Sequence, residues 1–181
     1  MTLKKFIQTG DFILTFPKKG QWLGKIIGKL TFGKVTHAVL VYDKVTLFET
    51  DGDLGRAMFS KPEKYEARHL IVIHIKSMGS FLDGNAEKVQ ELCHKYVGAP
   101  YSYWDIATNA AFFWLAAPLR RKLIKFLGGK RHMLCSELVS RILYEVTGRE
   151  ELRDYEGLTP EDLRDIALEF PEEYGLLELN P

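Results

Sequence analysis

Met133-Leu134-Cys135-Ser136-Glu137-Leu138-Val139 is the stretch on which the reading of this chain turns. Upstream of it, Gly128-Gly129-Lys130-Arg131-His132 makes a poor helix interior, because glycine loses the most backbone freedom on ordering. Downstream, Leu138, Val139, Ile142, Leu143 and Val146 recur at helical spacing, and Gly148 follows as a stop. Cys135 therefore falls in the first turn of an amphipathic helix. There the unpaired backbone N–H groups and the positive end of the helix dipole favour thiolate over thiol. The bland alternative is a small buried hydrophobe at the start of a core-facing helix, the commoner fate of a free cysteine.

Working outward, the chain of 181 residues is long enough to bury well over half of its unfolded surface in one core, so a single domain over 1–181 is expected. The 25 basic residues nearly balance the 24 acidic ones, which argues against nucleic acid as a partner. Cys93 and Cys135 are the only cysteines, and a chain of this length needs no disulfide; both read as free thiols in a reducing compartment. After Lys4 and Lys5, the run Phe6-Ile7-Gln8-Thr9-Gly10-Asp11 is too short and polar for the apolar core of a signal peptide. The uncharged run 106–119, interrupted by a single proline at 118, falls short of the roughly 20 apolar residues that span a bilayer. A cytoplasmic location is the expectation.

In chain order, Phe12-Ile13-Leu14-Thr15-Phe16 is a strand ending at Pro17, and Trp22, Leu23, Ile26, Ile27 and Leu30 mark a helix broken by Gly33. Thr36-His37-Ala38-Val39-Leu40-Val41-Tyr42 and Val45-Thr46-Leu47-Phe48-Glu49-Thr50 read as an antiparallel hairpin. With Asp43 and Lys44 as the two turn residues, His37 stands opposite Thr50, and His37 and Glu49 point to opposite faces. A longer loop or one bulge reverses that parity. A short strand follows at 56–59, a firm one at 69–75, a helix over 85–97 closed by Gly98-Ala99-Pro100, and a long apolar helix from about Tyr103. Thr159-Pro160-Glu161-Asp162 carries a cap residue, a proline at the first helical position and first-turn acids, the signature of a short final helix. Strands first and helices mostly afterwards predict an α+β domain with an antiparallel sheet.

A thiol nucleophile needs a base and a group that orients the base. His37 and Glu49, near one end of neighbouring strands, supply both types, but His69, His74, His94 and His132 compete for the role of base on spacing alone. No paired cysteines and no His-x-x-x-His spacing occur, and no glycine-rich phosphate loop is present, so neither a metal nor a nucleotide cofactor is expected.

Gly10-Asp11 before a strand, the 36–41 strand with His37, Phe48-Glu49-Thr50, Gly98-Ala99-Pro100-Tyr101 before a helix, Cys135-Ser136-Glu137-Leu138-Val139 and the late Leu158-Thr159-Pro160-Glu161-Asp162-Leu163 together resemble the circularly permuted NlpC-type papain-like hydrolases of the YiiX group. The order, histidine strand before cysteine helix, is the most specific part of the likeness. The resemblance implies a papain-like antiparallel sheet packed against helices, with Cys135 as nucleophile, His37 as base, Glu49 as its orienting group and Tyr101 near the oxyanion or substrate. It further implies a thiol hydrolase or acyltransferase acting on an amide or ester bond through a Cys135 thioester.

The segment 107–130 departs from that pattern in being longer, more apolar and basic at its end. A core helix is its plain reading; the sharper one is peripheral membrane contact through 106–125, with Ala111-Phe112-Phe113-Trp114-Leu115 as an aromatic wall and Arg120-Arg121-Lys122 and Lys125 on anionic headgroups. Small-molecule, lipid or peptide substrates are all compatible with this chemistry. The rival from another class is a non-catalytic binding or structural module that keeps the fold.

Overall fold

Strand β1 (Phe12–Thr15) lies fully buried at the centre of a sheet, as its unbroken run of β-branched and large apolar residues demands. The computed structural model describes residues 2–17, 33–51, 54–76, 82–101, 119 and 133–181. Within them the sheet adds β2 (His37–Asp43), β3 (Thr46–Asp51), β4 (Arg56–Ser60), β5 (Leu70–Ile75) and β6 (Tyr174–Leu179) in the order β4-β3-β2-β1-β5-β6. Every neighbouring pair is antiparallel. Among the described residues three α-helices accompany it: α1 (Leu82–Tyr96), α2 (Cys135–Thr147) and α3 (Pro160–Glu169).

The period-2 alternation of the strands divides the apolar side chains between two cores. Ala38, Leu40, Phe48, Ile71 and Ile73 face the helices, where Leu138, Val139, Ile142 and Leu143 of α2 meet Val89, Leu92 and Cys93 of α1. Val39, Val41, Leu47, Leu70 and Val72 face the other way, onto Leu3, Ile7 and the fully buried Tyr65. Helix α2 packs on β2 and β3, so its N-terminus is delivered to the same half of the sheet that carries β2. Gly148 ends it in the left-handed conformation, φ 68°, with its N–H donating to the Tyr144 carbonyl.

The strand register and the strand inventory differ from the sequence expectation. Asp43 pairs with Thr46 and Val41 with Leu47, so the chain turns at Lys44 and Val45 and a bulge sits between Val41 and Asp43. Beyond the bulge Leu40 pairs with Phe48, which sets Glu49 opposite Val39. His37, two residues from Val39, therefore shares a face with Glu49, the reverse of the parity a two-residue turn at 43–44 gives. The second difference is β6, absent from the sequence reading: after α3 the chain returns to pair along the whole of β5, so the order is not simply strands then helices.

Helix α1 begins at Leu82, earlier than the expected 85. The helix expected over 22–30 and the apolar helix expected from Tyr103, with its aromatic and basic clusters, lie outside the described residues apart from Leu119, which is helical and exposed. Among the described residues no helix is long and apolar enough to cross a membrane.

Candidate active site

Cys135 is the first residue of α2 and is buried, 3% exposed. Its N-cap is Leu134, extended at φ −73°, ψ 162°, whose side chain has no acceptor to offer the first turn. Glu137 closes the terminus from inside instead. Its Oε2 accepts the Leu134 N–H at 2.8 Å, and its Oε1 accepts the Gly157 N–H at 2.5 Å. Ser136 Oγ donates to the Leu158 carbonyl at 2.5 Å, and Ser140 Oγ donates to the Ser136 carbonyl at 2.8 Å. The two polar residues after Cys135 thus fix the helix start against the 157–158 loop.

His37 is the first residue of β2, with its side chain about one-fifth exposed. Its Nε2 bonds Glu49 Oε2 at 2.8 Å. Glu49 is 1% exposed, and a carboxylate that deep must be fully partnered to stay charged. Lys64 Nζ donates to its Oε1 at 2.9 Å and Tyr65 Oη donates to its Oε2 at 2.5 Å. Burial opposes the charge on Glu49, but the hydrogen bond and charge of His37, with Lys64 behind them, outweigh it and hold the carboxyl well below its usual range. Lys64 also donates to Asp51 Oδ2 at 3.0 Å. Burial, followed by the adjoining Glu49 charge, pushes the Tyr65 hydroxyl far above the ordinary tyrosine value, so it remains a donor.

For His37, burial acts to lower the pKa; the Cys135 side chain, by charge and by polar contact, and then Glu49 raise it, to about 10. Among the described residues no hydrogen bond of ordinary geometry joins His37 to Cys135. The helices cover the face of β2 opposite to the one that His37 shares with Val39 and Glu49.

Tyr101 is 5% exposed. The 98–101 segment continues the sheet beyond β4: Ala57 N–H donates to the Ala99 carbonyl, Gly98 N–H to the Ala57 carbonyl and Tyr101 N–H to the Gly55 carbonyl. Tyr101 then forms a parallel bridge with Met133, two residues before Cys135. The stretch that leads into α2 is thereby registered against the edge of the sheet.

The competing histidines are engaged elsewhere. His69 stacks on Phe16 at 3.6 Å and bonds Glu178, His74 Nδ1 bonds the buried Asp11 at 2.8 Å, and His94 Nε2 bonds Tyr42 Oη at 3.1 Å. His132 lies outside the described residues. No group of three or more His, Cys, Asp or Glu side chains among the described residues is disposed to hold a metal ion. Cys135, His37, Glu49 and Tyr101 are expected from the sequence; Lys64 and Tyr65 are not. Those two sit on a single 3-10 turn and its end, with no motif of their own, and only the fold carries them to Glu49.

No family model matches the chain, and no curated protein matches it in sequence. Its fold is similar to that of a crystal structure described as metalloprotein yiiX from Escherichia coli O157:H7, DUF1105, with a TM-score of 0.58 and 16% identity over 96% of this chain and 98% of that one. At that identity the likeness is one of fold, and this mixed α+β chain is remotely similar in structure to the YiiX/DUF1105 fold family.

Proposed function

We propose that this chain, as a single domain, is a thiol hydrolase or acyltransferase of permuted NlpC, papain-like type, with Cys135 as nucleophile, His37 as general acid and base, and Glu49 as the group that orients and charges the imidazole. The observation that carries the reading is the buried Glu49 carboxylate on Nε2 of His37. With Nε2 so engaged, Nδ1 is the nitrogen left for the sulfur. Cys135 is among the groups that raise the pKa of that ring.

In this scheme the Cys135 thiolate adds to the carbonyl carbon of an amide or ester, and the carbonyl oxygen takes the negative charge. The Cys135 and Ser136 N–H groups belong to the first turn of α2, where no carbonyl of the helix itself can accept them, and Tyr101 lies beside that turn. His37 then protonates the leaving amine or alcohol as the carbon–heteroatom bond breaks, leaving a Cys135 thioester and neutral imidazole. For hydrolysis neutral His37 takes one proton from water, whose oxygen adds to the thioester carbon; the carbon–sulfur bond then breaks, releasing the carboxylic acid and restoring the Cys135 thiolate beside the protonated ring. For transfer, an alcohol or amine replaces water. Lipid acyl groups are the substrate class that the apolar sequence 106–119 favours.

The similar yiiX structure is described as a metalloprotein. The residues described in this chain do not fit a resident ion. Nε2 of His37 is taken up by Glu49 Oε2, both oxygens of Glu49 accept from protein donors, and among the described residues no third ligand is grouped with them.

Iodoacetamide supplies the test. Cys135 is expected to react faster than an exposed model thiol at neutral pH and to lose that advantage in His37→Ala. A rate no faster than the model thiol, unchanged by His37→Ala, removes the catalytic reading. An acyl adduct on Cys135 after incubation with acyl-lipid, amide and peptide panels would identify the substrate class.

A further inference from the structure

The cysteine helix and the histidine strand are separated by nearly a hundred residues of sequence, yet both are bonded to one short segment of five. On the cysteine side, Gly157 N–H donates to Glu137 Oε1 at 2.5 Å and the Leu158 carbonyl accepts from Ser136 Oγ at 2.5 Å. On the histidine side, Glu161 Oε2 accepts the N–H of Lys34 at 2.7 Å and of Val35 at 3.1 Å. Between these anchors the segment is held by burial and capping: Leu158 and Thr159 are buried, and Thr159 and Asp162 cap α3 reciprocally, at 3.1 Å from the Asp162 N–H and 2.7 Å from the Thr159 N–H.

Glu161 meets the chain two and three residues before His37. Val35 and Thr36, which follow that contact, are buried, and the Thr36 N–H is committed to the Thr15 carbonyl. Little slack therefore remains between the Glu161 carboxylate and the Cα of His37. The other oxygen of Glu161 takes Arg164 at 2.5 Å, which holds the carboxylate plane in one orientation on the first turn of α3.

From this arrangement we propose that residues 157–161 are a brace that sets the distance between Cys135 and His37, and that Glu161 is a positioning residue for the thiol chemistry. The inference rests on the assignment of that chemistry to Cys135 and His37. Glu161 touches neither side chain. It acts through the backbone that carries His37, while Ser136 and Glu137 act through the first turn that carries Cys135. Small errors in such placement are amplified, since roughly 1 Å at a reacting pair costs on the order of a hundredfold in rate.

Reach and charge are separable with two conservative variants. Glu161→Asp keeps the negative charge in the first turn of α3, where the helix dipole favours it, but withdraws the carboxylate from Lys34 and Val35 by one methylene. Glu161→Gln keeps the reach and an acceptor oxygen but removes the charge. Three readouts apply to each variant in the full chain: amide hydrogen exchange at Lys34 and Val35, the NMR titration of the His37 ring, and the iodoacetamide rate at Cys135. The expected result is faster exchange, a His37 titration moved down by about one pH unit as the sulfur and imidazole separate, and a roughly tenfold slower Cys135 in Glu161→Asp, with Glu161→Gln close to the parent.

An unchanged His37 titration and Cys135 rate in Glu161→Asp, with its amides exchanging faster, overturns the brace. So does a shift in Glu161→Gln with none in Glu161→Asp, which would make Glu161 a distant charge and not a spacer. The His37 titration needs no turnover. It reports on the brace even if His37→Ala leaves Cys135 reactivity unchanged and the catalytic reading falls.

Discussion

Tyr65 and His37 converge on a single oxygen, Oε2 of Glu49, at 2.5 and 2.8 Å, while Lys64 takes the other oxygen. The carboxylate cannot rotate without breaking one of these bonds, so the imidazole it holds is fixed in plane. Two hydrogen-bond donors on one oxygen also divide its electron density between them.

Removing the Tyr65 hydroxyl tests that division. In Tyr65→Phe the ring volume is kept and one donor is lost from a buried charged acceptor, which is expected to lower stability by about 1–3 kcal/mol in urea unfolding. Glu49 then interacts with His37 alone on that oxygen, so the ring should titrate higher than in the parent by NMR. A His37 titration that falls in Tyr65→Phe would show that the hydroxyl holds the carboxylate in place instead of sharing its charge.

The charges of the pair also set a pH window. The raised pKa of His37 contributes stability that is fully present below the ordinary histidine value of 6.5 and is lost as pH rises toward about 10. The depressed pKa of Glu49 contributes stability present above the ordinary carboxylate value of 4.5 and lost as pH falls below it. The denaturation midpoint should therefore decline between pH 6.5 and 10, and His37→Asn should flatten that decline. Identical slopes for the two proteins would leave His37 without a role in the pH dependence.

Cysteine selectivity is a third expectation. Cys93 is fully buried in the helix-facing core and burial alone pushes its thiol up to about 12, so it should stay unmodified by iodoacetamide at neutral pH in the folded protein. Peptide mapping should find the label on Cys135. Label on Cys93 first would reverse the assignment of the reactive thiol.

Glu137 provides a structural prediction next to the site. It accepts two backbone N–H groups from a 4% exposed position, one at the helix start and one in the 157–158 loop. Glu137→Ala leaves both donors short and is expected to cost about 3 kcal/mol or more in urea unfolding, and Glu137→Gln, with one acceptor oxygen remaining, about half of that. Equal losses for the two would mean that charge, and not the pair of bonds, is what matters there.

Much of this arrangement was legible in the chain itself. The 138–146 periodicity and Gly148 defined α2 and put Cys135 in its first turn. Thr159-Pro160-Glu161-Asp162 defined the start of α3, and the apolar runs around Leu14, Val39, Phe48 and Val72 defined four strands. These are local properties, in which a period or a capping residue is decided by neighbours a few positions away. Strand β6 was not legible, because Tyr174-Gly175-Leu176-Leu177-Glu178-Leu179 alternates only weakly, and its pairing with β5 bridges about a hundred residues.

The site itself was decided by the tertiary structure. A single bulged residue between Val41 and Asp43 turns Glu49 onto the face of His37, and side-chain parity has a period of two, so one residue inverts it with no signature in composition. Lys64 and Tyr65 reach Glu49 across 15 and 16 residues, and Glu161 reaches Lys34 across 127. The sequence by itself determined which residue types were available for thiol chemistry and on which elements they lie. Only the folded chain decided their distances, because hydrogen bonds between segments remote in sequence depend on how the sheet and helices pack, which no local pattern encodes.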